Sequence, residues 1–142
     1  MDQIIERWLP VAGHEGAFEV SSWGRVRSLD RWVEQGSRWG GAISYLRKGR
    51  ILSLCGKPYL VVRLRPEPQV KRVHVLVAEA FLPECPGRYG KRRGDWNVDH
   101  IDGNTTNNRV SNLQWLLRRQ NSYVKSGLHH DERGRFLSPA LR

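Results

Sequence analysis

Asp99 and His100 stand side by side, and Asn121 follows twenty-one residues after His100 in a segment of helical spacing. A hydrolytic centre built on a hard divalent cation needs oxygen donors and a base that can activate water. Asp99 offers the oxygens. His100 offers the base, since imidazole titrates near neutral pH. Arg118, Asn121, Ser122 and Lys125 fall at i, i+3, i+4 and i+7 and share one helical stripe. A neutral amide oxygen between two cations could complete a metal shell while the cations hold phosphate, although a solvated helix face would use the same residues. Adjacent residues of a regular strand point to opposite faces. Asp99 and His100 can therefore serve one site only where the strand bends or ends, and Asp102-Gly103 comes directly after them.

The elements that must position these groups are legible around them. Trp96 to Ile101 reads as a short strand, Asp102-Gly103-Asn104 and Asn107-Asn108 as turn chemistry, and Leu113 to Leu116 as a returning strand. Leu117 to Ser126 reads as a helix with Gly127 as its C-terminal cap. Upstream, Val73, Leu76, Val77, Ala80 and Phe81 line one face of a helix that ends ahead of Pro83. Arg50–Leu54 and Tyr59–Leu64 read as two strands around Gly56-Lys57-Pro58, the second stopped by Pro66 and Pro68. In the first zone, Phe18 and Val20 alternate with Glu19, and Val26 and Ser28 with Arg25 and Arg27. Together they predict a hairpin turning at Ser21-Ser22-Trp23-Gly24, with the arginines on one face. The Gly-rich segment 33–49 reads as a connecting loop, and 84–95, with Arg88, Lys91, Arg92 and Arg93, as a basic loop. The tail 128–142 has little periodicity, and His129-His130 lacks partner ligands at metal-site spacing.

The chain has 142 residues, enough for one ordinary domain or two small lobes, and 39% of them are hydrophobic. Twenty-four Lys and Arg against fourteen Asp and Glu leave a formal net charge of +10. Such an excess favours polyanions, because each phosphate neutralised releases condensed counterions. Cys55 and Cys85 form no Cys-x-x-Cys pair, so a structural zinc site is not expected, and both read as reduced, partly buried thiols. The six tryptophans read as packing anchors near turns and strand ends. No apolar run approaches a membrane span, and MDQIIERW lacks the apolar segment of a signal peptide, so an intracellular protein is expected.

The run VDHIDGNTTNNRVSNLQW followed by LLRRQN closely resembles the HNH homing endonuclease family. VHVLVAEAFLP is similar to the helix that precedes that motif in the family. Residues 8–31, WLPVAGHEGAFEVSSWGRVRSLDR, look like a small module found N-terminal to it in phage and intron-encoded nucleases. The resemblance implies an α+β fold, with a small antiparallel β module ahead of a ββα-metal core. The divisions expected are 1–49 for the module and linker, 50–127 for the nuclease domain with its core at about 96–127, and 128–142 for a basic tail.

By the same resemblance, His100 is the general base and Asp99 and Asn121 hold one metal ion. Asn112 is the central Asn that braces the loop between the strands. The pattern is that of an H-N-N branch, and its all-oxygen shell suits Mg²⁺ or Mn²⁺. Arg25, Arg27, Arg88, Lys91, Arg92, Arg93, Arg118 and Lys125 are the candidate contacts to the backbone of double-stranded DNA. A monomer would nick, and a double-strand break would need a homodimer or two visits. Two features depart from the family: Leu116-Leu117 stands where a Ser or Thr helix cap is common, and only a short tail follows the last helix. A DNA-binding module that does not cut is the alternative, and an RNA-binding factor with stacking aromatics and no metal requirement is a third reading.

Overall fold

The computed structural model describes residues 5–65 and 69–120, together with the backbone of four residues beyond them, at 129–130 and 136–137. Three short strands, β1 (Trp8–Pro10), β2 (Phe18–Ser21) and β3 (Val26–Ser28), form an antiparallel sheet with β2 in the centre. The expected hairpin is present, with Phe18 opposite Ser28, Glu19 opposite Arg27 and Val20 opposite Val26. Its turn relies on Gly24 at φ 86°, a left-handed conformation that a side chain would strain. The Ser21 hydroxyl oxygen accepts the backbone N–H groups of Trp23 and Arg25 at 3.2 and 2.9 Å.

Residues 33–49 are not a loop. β4 (Arg31–Gly36) and β5 (Ala42–Arg47) pair from Arg31–Arg47 to Gly36–Ala42, and the glycines mark only the tip, where Gly40 and Gly41 are both left-handed. β5 is exposed throughout, so no buried face imposes an alternation that sequence patterning could detect. Segment 50–54 is not a regular strand: Ile51 makes a single bridge to Arg27, and across Gly56-Lys57-Pro58 a single antiparallel bridge joins Cys55 to Val61, whereas β6 (Val61–Leu64) pairs along its length with β7 (Gln69–Arg72). β7 is fully exposed, so its sequence carries no apolar signature.

Helix α1 (Val73–Phe81) matches the predicted span. Leu82 leaves the helix in an extended conformation, as a residue before proline prefers. β8 (Trp96–His100) and β9 (Leu113–Leu117) form the second hairpin, and a 3₁₀ turn at Val110–Asn112 leads into β9. Leu117 belongs to β9 rather than to the helix, because it pairs with Trp96; helical backbone begins at 118–120. In the tail, β10 (His129–His130) pairs with β11 (Phe136–Leu137), strands too short to leave a period in the sequence.

One core joins these pieces. Val11, directly after β1, and Phe18, Val20 and Val26 of the N-terminal sheet pack in the same cluster as Val62, Leu64, Val73, Leu76, Val77, Val98 and Leu113. α1 is the shared wall, touching β1, β2, β7, β8 and β9. Each such side chain contributes about 1.5–3 kcal/mol when fully buried. Cys55 is exposed, against expectation, and Cys85 is half-buried; both are free thiols. Trp32 and Trp39 are 72% and 93% exposed on the β4–β5 arm, so they are not packing anchors.

Candidate active site

His100 is the last residue of β8, and strand alternation turns it inward with Val98, leaving it 7% exposed. The chain turns immediately afterwards. Gly103 N–H donates to the His100 carbonyl at 2.9 Å, and Gly103 adopts φ 75°. The His100 ring stacks on Tyr59, with centroids 6.1 Å apart and planes 22° apart. His74 of α1 meets it edge-on at 5.1 Å. Its Nε2 lies 2.8 Å from Oδ1 of the buried Asn108. Burial pushes His74 down to about 4, with the charges of His100 and Arg72 acting in the same direction, so His74 is a neutral ring at neutral pH.

Asp99 faces the other way. It lies opposite Gln114 in the ladder, and Gln114 Nε2 donates to Asp99 Oδ2 at 3.1 Å. The bend that would bring both groups to one side comes after His100, not between the two residues. Asp99 is half-buried, and a carboxylate accepts several bonds at once. The oxygen chemistry of Asp99 therefore fits a hard cation. Among the described residues, no group of three His, Cys, Asp or Glu side chains gathers as a complete metal shell. Asn121 and Lys125 lie outside the described residues.

Asn112 sits in the 101–112 loop and touches neither Asp99 nor His100 by hydrogen bond. Its Nδ2 donates to Asp102 Oδ1 at 2.8 Å and to the Asn107 carbonyl at 2.9 Å, and its Oδ1 accepts Asp102 N–H at 3.0 Å. Asp102 also accepts the Asn104 N–H and the Asn107 side-chain amide. These bonds, that from Asn107 foremost, hold its carboxyl below the usual range.

The cations divide into two kinds. Arg25 is ion-paired with Glu6, and Arg27 with Glu19 at 2.5 Å; both guanidinium groups lie over the Trp8 ring. The Arg25 hydrogen bond is the main cause lowering the Glu6 carboxyl. Arg88, Lys91, Arg92 and Arg93 are exposed on a loop that Asp95 anchors. Asp95 is 5% exposed, accepts Arg92 N–H at 2.8 Å and pairs with Arg88 at 4.0 Å. Among the described residues, no ion pair engages Lys91, Arg92 or Arg93. Arg118 N–H donates to the Asp95 carbonyl at 2.9 Å, so this loop and Arg118 share the Trp96 end of the hairpin. His100 ends the same strand about 13 Å away, at about 3.3 Å per residue.

Sequence reasoning missed Tyr59, His74, Asn108 and Gln114. Asn108 stands out only as turn chemistry, and His74 is hidden inside a helical apolar pattern. It also missed Arg31, Arg47, Arg50, Arg63 and Arg65, which line one cleft of about 110 Å³. They are dispersed over 35 positions and carry no motif.

Residues 71–123 match the family model described as HNH endonuclease, and residues 6–65 match the NUMOD4 motif. The chain is similar to an uncharacterized HNH endonuclease of Acanthamoeba polyphaga mimivirus, 28% identical over 119 residues that make up 82% of this chain and 25% of that protein. It is also similar to a solved structure concerning DNA binding and cleavage by the HNH homing endonuclease I-HmuI. There the TM-score is 0.55 at 28% identity, over 85% of this chain and 59% of the other.

Proposed function

We propose that this chain, whose residues 71–123 match the HNH endonuclease family model, belongs to that family and is a divalent-metal-dependent endonuclease acting on double-stranded DNA. The observation that carries this reading is a motif histidine, His100, fixed by packing and a side-chain hydrogen bond at the very end of β8, with the carboxylate of Asp99 next to it. His100 takes a proton from the water whose oxygen bonds to phosphorus. The P–O3′ bond breaks, leaving a 5′-phosphate and a 3′-hydroxyl. Asp99, with Asn121, would hold Mg²⁺ or Mn²⁺, and such an ion, when bound, stabilises charge on the leaving oxygen. Asn112 keeps the 101–112 loop in one shape behind the end of β8. Lys91, Arg92 and Arg93, and the arginines of the 110 Å³ cleft, are the best candidates for phosphate contacts. Arg25 and Arg27 contribute less, because their charge is already partnered.

The test is supercoiled plasmid incubated with the protein in Mg²⁺ or EDTA, beside the His100→Ala variant. The expected result is conversion to open circle or linear DNA that EDTA abolishes and His100→Ala slows by roughly 10² to 10⁴, the usual range for a lost general base. A variant that cuts as fast as wild type would remove His100 from the base role. DNA binding without cutting, on plasmid and on a broad genomic library, would favour the non-cleaving module.

A further inference from the structure

Buried polar atoms without hydrogen-bond partners are uncommon, and each calls for an explanation. Among the described residues they are Trp23 Nε1, His74 Nδ1 and Asn108 Nδ2. His74 and Asn108 both touch His100, and Trp23 stands beside Gly24 in the turn of the N-terminal sheet that abuts Asn108 across one seam. The turn at 21–24 is stitched to its surroundings: Ser22 and Arg7 exchange backbone and side-chain bonds, and the Ser22 carbonyl accepts Val110 N–H at 2.9 Å. Arg109 lies over the Trp23 ring at 4.9 Å. Between these two contacts, Gly24 lies against Asn108 so closely that a Cβ at Gly24 would come within 2.7 Å of Asn108 Cβ. Asn108 is 3% exposed, and its Oδ1 faces His100 Nε2 at 2.8 Å.

We propose that the turn at Ser22–Gly24 seats Asn108 as a positioning residue that holds the His100 ring as its Nε2–H tautomer, so that Nδ1 is the nitrogen that accepts the proton of water. This rests on His100 being the general base. A carbonyl oxygen accepts but does not donate, so an Asn108 Oδ1 at hydrogen-bond distance requires the proton on Nε2. The lone pair then falls on Nδ1, as the bond made by one ring nitrogen decides the state of the other. Tyr59 and His74 fix the plane of the ring, and Asn108 fixes which nitrogen is free. The seam makes the N-terminal sheet part of the base's scaffold rather than an independent attachment. The unpartnered Asn108 Nδ2 fits this role: an apolar residue of similar shape would leave no orphan there but would lose the Oδ1 contact.

The experiment is two-bond ¹H–¹⁵N correlation of the imidazoles in the full-length protein, at a pH well above the reference imidazole value of about 6.5. His100 is assigned by its absence in His100→Gln. The wild type should show a single Nε2–H tautomer. Asn108→Leu should show mixed tautomers and a kcat about 10- to 100-fold lower with KM little changed, the range for losing a supporting partner of an active-site ligand. Asn108→Asp, which keeps the acceptor, should restore the Nε2–H pattern. Gly24→Ala should shift the His100 signals toward those of Asn108→Leu.

An Nδ1–H wild type overturns the proposal, as does an Asn108→Leu protein that keeps both the single tautomer and wild-type kcat. The tautomer is read without DNA. A chain that shows the Nε2–H pattern yet never cleaves would refute the nuclease reading and with it the proton transfer, leaving only the seating of the ring, and a cleaving enzyme with the Nδ1–H pattern would refute the present proposal alone.

Discussion

The β4–β5 and β8–β9 hairpins are both two-stranded antiparallel ribbons, with six and five paired positions. They differ in what stands behind them. β8–β9 buries Val98, His100 and Leu113 against α1, so one face is fixed by the core. β4–β5 exposes Trp32, Ile43, Tyr45 and Leu46 and is tied down mainly at its foot, where Asp30 accepts from Lys48 and Gly49 and Arg31 donates to the Ala17 carbonyl. A lone two-stranded ribbon is marginal in water. Only the packed ribbon can hold the His100 ring in one orientation, and the arm depends on its foot.

This contrast should appear first in stability. Leu113→Ala opens a cavity behind the packed ribbon and should cost about 2–5 kcal/mol in a urea melt; a loss below about 1 kcal/mol would mean that the hairpin does not depend on the core. Next comes acid. His74 behind the ribbon has a folded pKa of about 4 against a reference of 6.5, so the unfolded chain binds the extra proton between those values. The stabilising contribution is complete above pH 6.5 and is lost as pH falls toward 4, by about 3 kcal/mol at most. His74→Leu should flatten the stability profile in that window, and an unchanged slope would show that His74 does not titrate there.

The cations give a smaller contrast. Arg92→Ala with Arg93→Ala should lower the slope of log affinity for duplex DNA against log salt by about 2, while Arg25→Ala, already held by Glu6, should change it by less than about 1. Equal slopes for the two proteins would erase the distinction between partnered and exposed arginines. Smallest of all, Trp39→Ser at the arm tip should alter stability by less than about 0.5 kcal/mol, and a larger loss would reveal packing on the arm.

What the sequence by itself determined is local and periodic. Helix α1 was readable because Val73, Leu76 and Val77 repeat at helical spacing and are buried. The Phe18–Ser28 hairpin and the β8–β9 pair were readable because one face of each is apolar and their turns carry Gly, Asn and Asp. The same signals failed for β5 and β7, which are exposed throughout, and for β4, where only Arg31 and Val33 are half-buried. For the candidate site, residue type and adjacency singled out Asp99, His100 and the Asn-rich loop as candidates.

The surroundings of His100 were not, since Tyr59, His74 and Asn108 come from separate parts of the chain and carry no shared spacing. Nor was it legible that Gly24 abuts Asn108, 84 positions later. Spacing records which face of its own element a residue occupies. Which elements meet across the core, and therefore which rings and amides enclose His100, was decided only when α1 brought the N-terminal sheet and the β8–β9 hairpin onto one hydrophobic cluster.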